Sequence, residues 1–477
     1  TINSLTLNGD PVVDVNPNVV SLFAAAAARY PSNIGGGDGL NTGVFRFNTP
    51  LPVNENTHTA KFDWSVTSDQ RHTVSVFGNY QQDLYGRVRA FPDTPGTDQW
   101  SHPLRVGGSH TWLINNSLTN RFSYGMTRLA FSNQGDSAEN AITFRDIFSP
   151  FNFSRTFSRV NPTHNFTNDV TWIKGNHTVQ FGTNIRLIRN KRTNWGAAFD
   201  SGVTNFGFYP NGGSSVTDVL NQYAASTSGN PGEVVQSSYL RTAQSGLVAL
   251  LGRLNQFTAR FNFDADGNPV ANAPTVREFA TEEYDFYVQD SWKVRPSLTL
   301  TLGLRYGYST PVYETSGLEA APNIALDEYF QRRLNAAQQG ANYTEPLLIE
   351  LSGKVNGRPP MYDADKDNFQ PRISVAWSPN FQSGIGAFLF GKNREGVLRG
   401  GFAVTNDYYG QQLAVSFDAS NTLGFLSNYT SPANTFNLTD NPGPLWDGTP
   451  MNIQSFPGVV PPAHVILPRQ PPQALGL

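Results

Sequence analysis

The chain contains a repeated alternation of apolar and polar residues, seen most clearly at residues 284–311. In the stretch YDFYVQDSWKVRPSLTLTLGLRYGYSTP, two alternating segments flank the short polar segment Lys293–Ser297. Since successive side chains of a strand point to opposite faces, each segment would have one apolar and one polar face. Pro296 cannot donate a hydrogen bond to a neighbouring strand, so it marks the turn. The pattern predicts an antiparallel β-hairpin.

The same pattern recurs along most of the chain. Hairpins are predicted near residues 56–80, 103–131, 164–188, 281–309 and 369–405, with a sixth at 239–263 that turns at Asp264–Gly267. The apolar run Leu247–Leu251 within the sixth would also suit a short helix. The strands are close to the roughly 9–11 residues that a tilted membrane strand requires, which gives about 10–12 strands in all.

The connections between the predicted strands alternate between short and long. Polar stretches rich in Gly, Pro and Asn occupy 81–103, 132–163, 189–279, 310–368 and 406–477. Such lengths are unusual in compact soluble domains, whereas outer-membrane barrels combine short periplasmic turns with long extracellular loops. We therefore interpret 1–55 as an extracellular loop segment, 56–405 as barrel strands with their loops, and 406–477 as a long extracellular loop in which the chain is truncated.

Tryptophan marks one end of the predicted strands. Five of the eight tryptophans lie where a strand enters its short turn, on the apolar side of the alternation: Trp64, Trp112, Trp172, Trp292 and Trp377. A sandwich core gives no reason for this placement, but a bilayer does, because indole rings settle at the level of the lipid headgroups. The sequence thus predicts an antiparallel transmembrane β-barrel whose apolar face meets lipid and whose periplasmic rim carries these tryptophans.

Composition narrows the function classes. Aromatic residues make up 12% of the 477 residues and charged residues 15%, against about a quarter for charged residues in typical soluble domains. A net charge of −3 without a basic run makes nucleic acid an unsuitable partner. The absence of Cys excludes disulfides and thiolate metal sites. No apolar stretch approaches the roughly 20 residues of a membrane helix, and no signal segment follows Thr1, which indicates a processed chain or a fragment.

Motifs for catalysis or cofactor binding are weak. GAFLFGKN at 386–393 nearly matches the phosphate-binding loop G-x-x-x-x-G-K-[ST], but Asn393 lacks the hydroxyl that holds Mg²⁺, so a turn or a strand extension is favoured. None of the seven histidines precedes Glu, which excludes H-E-x-x-H. His72 and His177 each begin a return strand, where an interfacial position is expected. We predict a protein without catalytic residues or cofactor-binding residues, and not an enzyme.

One acidic segment has the spacing of a calcium loop. Asp363, Asp365 and Asp367 occupy alternate positions, as calcium ligands do, but the Gly and the distal Glu of such loops are absent. A solvated loop is the favoured interpretation, and a Ca²⁺ site is the alternative.

Four arginines lie on the polar side of the alternation: Arg186, Arg305, Arg372 and Arg399. In a barrel these side chains face the lumen, where they would pair with carboxylates of a plug or line a path for a solute. The alternative is that they only form hydrogen bonds with neighbouring strands.

Several phrases resemble the Oar-like β-barrel of TonB-dependent outer-membrane receptors. They are YVQDSWKVRPSLTLTLGLRY, KGNHTVQFG, NFQPRISVAWSP and VLRGGFAV, and the opening VNPNVVSLFAAAAARYPSNI resembles a loop segment of that family. The resemblance implies a barrel of about 22 strands with a plugged lumen, a plug that contacts TonB, and import powered from the inner membrane.

The chain departs from that pattern in ways that suggest an internal fragment. No plug precedes the first predicted strand, and the chain ends in RQPPQALGL rather than in an amphipathic strand. We interpret it as the barrel part of a TonB-dependent transporter in the outer membrane of a diderm bacterium. Its expected partners are lipid, a plug, the TonB system and an unidentified extracellular substrate. The alternatives are a surface adhesion or assembly protein anchored by the barrel, and a secreted soluble glycan-binding β protein.

Overall fold

The computed structural model describes most of the chain. The described residues are 6–7, 10–11, 14–37, 43–89, 91–93, 97–135, 137–147, 154–407, 410–412, 415–416, 424–461 and 473–474. None of the helices formed by these residues has the length and apolar character needed to cross a bilayer.

Strands dominate the secondary structure. The strands are β1 (Thr6–Leu7), β2 (Asp10–Pro11), β3 (Val53–Ser65), β4 (His72–Gly86), β5 (Asp98–Ser101), β6 (Leu104–Asn115), β7 (Leu118–Asn133), β8 (Ala141–Phe144), β9 (Phe157–Lys174), β10 (His177–Asn194), β11 (Ser201–Thr204), β12 (Gln256–Asn262), β13 (Thr275–Arg295), β14 (Leu298–Ser309), β15 (Tyr313–Glu314), β16 (Ala320–Pro322), β17 (Leu348–Leu351), β18 (Phe369–Trp377), β19 (Leu398–Ala403), β20 (Leu426–Thr430) and β21 (Gln473–Ala474). The helices are α1 (Pro17–Arg29), α2 (Pro210–Ser228), α3 (Ser237–Leu251), α4 (Leu326–Gln338) and α5 (Gly384–Phe390), with 3₁₀ turns at Phe206–Phe208, Lys354–Asn356 and Ile453–Ser455.

One large antiparallel sheet, here called the main sheet, contains twelve of the described strands. Its order is β19-β18-β14-β13-β10-β9-β7-β5-β4-β3. In addition, β6 pairs with both β4 and β7, and β15 pairs with β13. Strands β5 and β6 act as one strand that is interrupted at Pro103, which has no N–H to donate. Because neighbours in the sheet are neighbours in the chain, the short turns lie at one end, together with the connection 378–397 between β18 and β19, and the other long connections lie at the opposite end.

Each of the five predicted main hairpins is present as a paired unit. The pairs are β3 with β4, β6 with β7, β9 with β10, β13 with β14, and β18 with β19. The turn between β9 and β10 consists of two residues, Gly175 and Asn176. Gly175 there has a φ of 59°, a left-handed conformation that glycine adopts without steric cost. The prediction of an all-β antiparallel architecture is confirmed.

The apolar face of the main sheet is uncovered. Phe286 and Val288 are each 50% exposed, and Phe402 is 66% exposed. The five tryptophans predicted to border the apolar face, here called the girdle, are exposed as well. Four of them pair across strands with a residue next to a short turn, as Trp292 does with His177 and Trp377 with Leu298. An apolar face of this extent would be costly in water, so it requires an apolar solvent.

The sixth predicted hairpin, at 239–263, is wrong. Residues 237–251 form α3, and the strand that follows, β12, pairs with β11 and β20 outside the main sheet. The reason is the helical spacing of the apolar residues: Leu247, Val248 and Leu251 fall on one side of a helix and are buried against protein.

The long connections fold into a compact body, here called the loop cap, made of α1, β8, β11, α2, α3, β12, β20 and residues 436–456. It has its own hydrophobic core, formed by Val19, Ile142, Phe144, Tyr209, Val216, Val219, Leu247, Val248, Ala249, Leu251, Leu254, Phe257, Ala259, Phe261, Phe436, Leu438, Trp446, Ile453 and Phe456. Asn16 joins distant parts of it, donating from its backbone N to Leu250 O at 2.9 Å and from Nδ2 to Trp446 O at 2.8 Å. The stretches interpreted as plain loops are therefore folded over much of their described length.

Charge on the apolar face should cost far more than charge on the polar face. Val288 lies opposite Phe181 and Leu304, with apolar neighbours on both sides, and the next residue, Gln289, points to the polar face at the same height. We expect Val288→Arg to destabilise the complete protein in phospholipid vesicles by roughly 2–4 kcal/mol near the bilayer midplane. Unfolding in denaturant measures the change.

Gln289→Arg is the matched control for this substitution, since it adds the same side chain one residue away. We expect it to change the free energy of unfolding only slightly, because its guanidinium would face water. Equal losses for the two variants would mean that the two faces have been assigned wrongly.

Candidate functional site: a charged cavity on the polar face

The polar face brings three of the predicted arginines together. Strand pairing places Arg186 of β10 opposite Glu283 of β13, and Arg305 of β14 opposite Gln370 of β18. Arg372 lies two residues further along β18, on the same face. Three strand pairs in fixed register thus place side chains that are far apart in sequence on one surface.

Two carboxylates of β13 hold two of these arginines. Arg186 Nη2 lies 2.5 Å from Glu283 Oε2 and 3.9 Å from Asp285 Oδ2. Arg305 approaches Asp285 with two nitrogens, Nη2 at 2.7 Å and Nε at 3.3 Å. Asp285 therefore lies between two guanidinium groups, and the paired geometry is the strong, orientation-specific form of an arginine–carboxylate interaction.

The carboxylates of these ion pairs are more buried than the arginines. The side chains of Glu283 and Asp285 are only 6% and 13% exposed, whereas those of Arg186 and Arg305 are 41% and 36% exposed. Gly307 lies opposite Asp285, where a Cβ would come within 3.1 Å of Asp285 Oδ1, so the absence of a side chain leaves room for the carboxylate. The carboxylates lie beneath, and the guanidinium groups are what this face presents to its surroundings.

Above these pairs is a cavity of about 510 Å³ at the loop end of the sheet. Its walls are the polar sides of β10, β13, β14 and β18. Loop residues also line it, including Tyr362, Asp363, Asp365, Asn368, Asn406 and Asp407. The two loop segments are joined by a hydrogen bond from Asn406 Nδ2 to Asn368 Oδ1 of 2.8 Å. We call this space the charged cavity.

Arg372 differs from the other two arginines of the charged cavity. It is exposed and lines the space, but within the described part of the chain it has no carboxylate within ion-pair distance, unlike Arg186 and Arg305. A guanidinium that is not held in an ion pair is available to an anionic group from outside.

Arg399 does not join the cavity. It pairs across the sheet with Ala376 and thus lies beside Trp377, at the short-turn end. Arg399 lies on the polar face, because its partner Ala376 lies on the same face of β18 as Arg372 and Ser374. The four arginines are therefore on one face, but only three of them lie together.

The acidic segment does not assemble a metal site among the described residues. Asp363 and Asp365 line the charged cavity, and no group of three or more His, Asp or Glu side chains in the described ranges is placed to hold a metal ion. A hydrogen bond between the side chains of Asp365 and Asp367 lowers the pKa of Asp365 and raises the pKa of Asp367. The two carboxyl groups thus interact with each other along an extended segment.

The histidines that begin return strands lie on the apolar face beside the girdle. His177 stacks on Trp292 with ring centroids 5.4 Å apart, and its Nδ1 is 2.7 Å from Asp290 Oδ2. His72 stacks on Trp112 at 5.4 Å. The stretch that nearly matches a phosphate-binding loop, 386–393, begins inside α5 and continues past its end at Phe390, within the connection from β18 to β19.

Glu283 and Asp285 are the site residues that the sequence alone did not single out. Both lie on the polar side of the alternation in β13, one residue on either side of the apolar Tyr284. Acidic residues on a luminal face opposite predicted luminal arginines are the signal that could have identified them. Using that signal requires knowing that β13 lies between β10 and β14.

A sheet with one uncovered, tryptophan-bordered apolar face and one charged face defines a β-barrel membrane protein. The sequence matches the family model described as outer membrane beta barrel domain over residues 6–472. The chain belongs to this family, and it is located in the outer membrane of a diderm bacterium. No curated protein matches the sequence.

Solved outer-membrane proteins show a distant likeness. FpvA of P. aeruginosa, in a structure with heterologous pyoverdines, has a TM-score of 0.35 and 10% identity, covering 69% of this chain and 34% of that one. The copper transporter OprC has a TM-score of 0.35 and 10% identity, covering 76% of this chain and 38% of that one. The outer membrane transporter YddB from Escherichia coli has a TM-score of 0.34 and 11% identity, covering 72% of this chain and 40% of that one. The chain spans less than half the length of these structures.

The outer-membrane location removes one alternative. A secreted soluble β protein that binds glycans would need its apolar faces buried, whereas the apolar face of the main sheet is exposed and the family is a membrane family. That interpretation was wrong.

Removal of the carboxylate between the two arginines should destabilise the site. We expect Asp285→Ala to lower the free energy of unfolding of the complete protein in vesicles by about 1–3 kcal/mol, because it leaves charged donors of Arg186 and Arg305 without their acceptor. Denaturant titration of the two proteins gives the difference.

Asp63→Ala is the control for this comparison. Asp63 also lies on the polar side of a strand and pairs with Lys61 at 2.9 Å, but both side chains are about 60% exposed. Its loss should cost less than about 1 kcal/mol. A loss at Asp285 no greater than that at Asp63 would contradict a structured charge network.

Proposed function

We propose that this chain forms part of the barrel of a TonB-dependent, Oar-like outer-membrane transporter that takes up an extracellular solute. The observation that carries the proposal is the charged cavity. A wall that only anchored a protein in lipid would need apolar residues outside, but it would not need the three arginines and five carboxylates that line this cavity.

The position of the charged cavity suits an entrance. It lies at the loop end of the polar face, where a solute that passed the loops would first meet the barrel wall. Guanidinium groups bind carboxylates and phosphates through paired, planar hydrogen bonds. Arg372 is the group with free capacity, so its partner would be an anionic group of the solute or a carboxylate of a plug.

The sequence supports the transport class independently. The phrases YVQDSWKVRPSLTLTLGLRY and NFQPRISVAWSP, which resemble Oar-like TonB-dependent receptors, form β13, β14 and β18. These are three of the four strands that build the charged cavity. In this proposal the plug and the contact with TonB belong to parts of the protein outside this chain.

A second function, anchoring of a surface adhesion or assembly protein, is favoured by the loop cap. The cap has a hydrophobic core of its own, so it could present a binding surface that does not depend on any passage through the barrel. Transport and anchoring differ in one consequence: only transport needs energy from the inner membrane.

Solute depletion separates the two functions even while the substrate is unidentified. Cultures of the wild-type strain, a strain lacking the gene and a strain lacking TonB are grown in the same medium, and mass spectrometry records which solutes remain. Transport predicts that at least one solute persists in both deletion strains. Complementation with the wild-type gene should restore its uptake, and complementation with Arg372→Glu should not if that solute is anionic.

If the gene deletion alters surface attachment while every solute is depleted as in the wild type, anchoring replaces transport as the function.

The long connections should be extracellular and the short turns periplasmic. The chain has no Cys, so single cysteines at the exposed Ala341 and at Ser297 report the two ends. We expect Ala341→Cys to react with a membrane-impermeant maleimide on intact cells, because it lies in the 310–368 connection. Ser297→Cys should not react until the outer membrane is permeabilised.

Permeabilised cells are the control, since both cysteines should then react. The reverse pattern in intact cells would invert the orientation of the sheet in the membrane. Reaction of both cysteines before permeabilisation would contradict a barrel that separates the two sides.

A further inference from the structure

The connection between β18 and β19, residues 378–397, differs from the other connections at the short-turn end. It contains α5, a helix without a charged residue. Three of its large apolar side chains point into open space: Ile385 is 79% exposed, Phe388 86% and Leu389 63%. Their spacing places them on one side of the helix. We call residues 378–397 the α5 turn.

The α5 turn packs against the lipid-facing side of the sheet. The rings of Phe381 and Phe390 lie 6.3 Å and 6.2 Å from the ring of Trp377, centroid to centroid. Trp377 pairs with Leu298 on the apolar face. The turn therefore continues the apolar face past the end of the strands instead of folding beneath the polar face.

Charge in the α5 turn is concentrated after the helix. Lys392 and Arg394 follow it, and Glu395 is the acidic residue beside them. Apolar side chains on a helix with basic residues at its border are typical of segments that lie in the headgroup region of a membrane, where the basic groups meet lipid phosphates.

We propose that the α5 turn lies in the outer membrane itself, as an interfacial anchor that buries Ile385, Phe388 and Leu389 among the acyl chains of phospholipids. Lys392 and Arg394 contact the phosphates of the same lipids. The partner is phospholipid because the exposed apolar side chains are continuous with Trp377 and the exposed Leu398 and Phe402, which already face lipid. That this is the periplasmic leaflet rests on the orientation given under the proposed function, whereas the insertion into lipid does not depend on it.

Nitroxide labels can measure this insertion directly. Single cysteines are placed at Phe388, at Ser383 just before the helix, and at Leu304 on the apolar face. The complete protein is labelled and reconstituted in vesicles of phosphatidylethanolamine and phosphatidylglycerol. Oxygen concentrates in lipid and a nickel chelate stays in water, so the ratio of their collision rates with each label reports its depth.

We expect the oxygen-to-nickel ratio at Phe388→Cys to exceed that at Ser383→Cys several-fold and to stay below that at Leu304→Cys, which lies opposite Val288 nearer the bilayer midplane. Leu389→Cys should behave like Phe388→Cys, which guards against a local effect of one substitution. Replacing phosphatidylglycerol with phosphatidylcholine should reduce the ratio at residue 388 in the wild-type background and have a smaller effect in a Lys392→Gln, Arg394→Gln background.

Two results would overturn the proposal. A ratio at residue 388 as low as that at residue 383 would place the turn in water. Low collision rates with both reagents would mean that protein covers the helix, which would favour a protein partner over lipid. Neither measurement depends on transport, so failure of this inference and failure of the proposed function are separate outcomes.

Discussion

The structure depends on one constraint: within hydrocarbon, every backbone N–H and C=O must be paired inside the protein. Between its two edge strands, β3 and β19, the main sheet meets it with long, continuous ladders, such as the eighteen-residue strands β9 and β10 and the twenty-one-residue strand β13. The uninterrupted register of β10 against β13 runs from His177–Trp292 to Asn194–Thr275. Where Pro103 breaks a strand, its neighbours still pair on both sides of the break.

That constraint also determines what each side chain can do. Once the ladders are paired, the alternation of faces assigns every residue either to lipid or to the interior. Charge is then concentrated on one face, and charges of opposite sign on adjacent strands meet there, as Arg305 and Asp285 do. The charged cavity is thus a consequence of register as much as of composition, because a shift of one residue would turn its arginines toward lipid.

Beyond the ends of the strands the chain is no longer confined to hydrocarbon, and the connections at the two ends of the sheet treat their apolar side chains differently. At the loop end, water surrounds the chain, and the connections bury apolar residues against one another in the loop cap. At the other end, most turns are only a few residues long and have nothing to bury. The α5 turn is the exception there, since its apolar side chains have no protein cover among the described residues and lie next to the lipid-facing edge of Trp377.

The sequence by itself determined the local features: five hairpins, the two faces of each strand and the tryptophan border. All three follow from period-two alternation and residue type, which act over a few residues. It did not decide between helix and strand at Leu247–Leu251, because a short apolar run fits both, and burial in the loop cap decided for helix. It also did not pair Arg186 with Glu283 or separate Arg399 from the other arginines. Those relations depend on which strands are neighbours and on their register, and only the tertiary structure decides that.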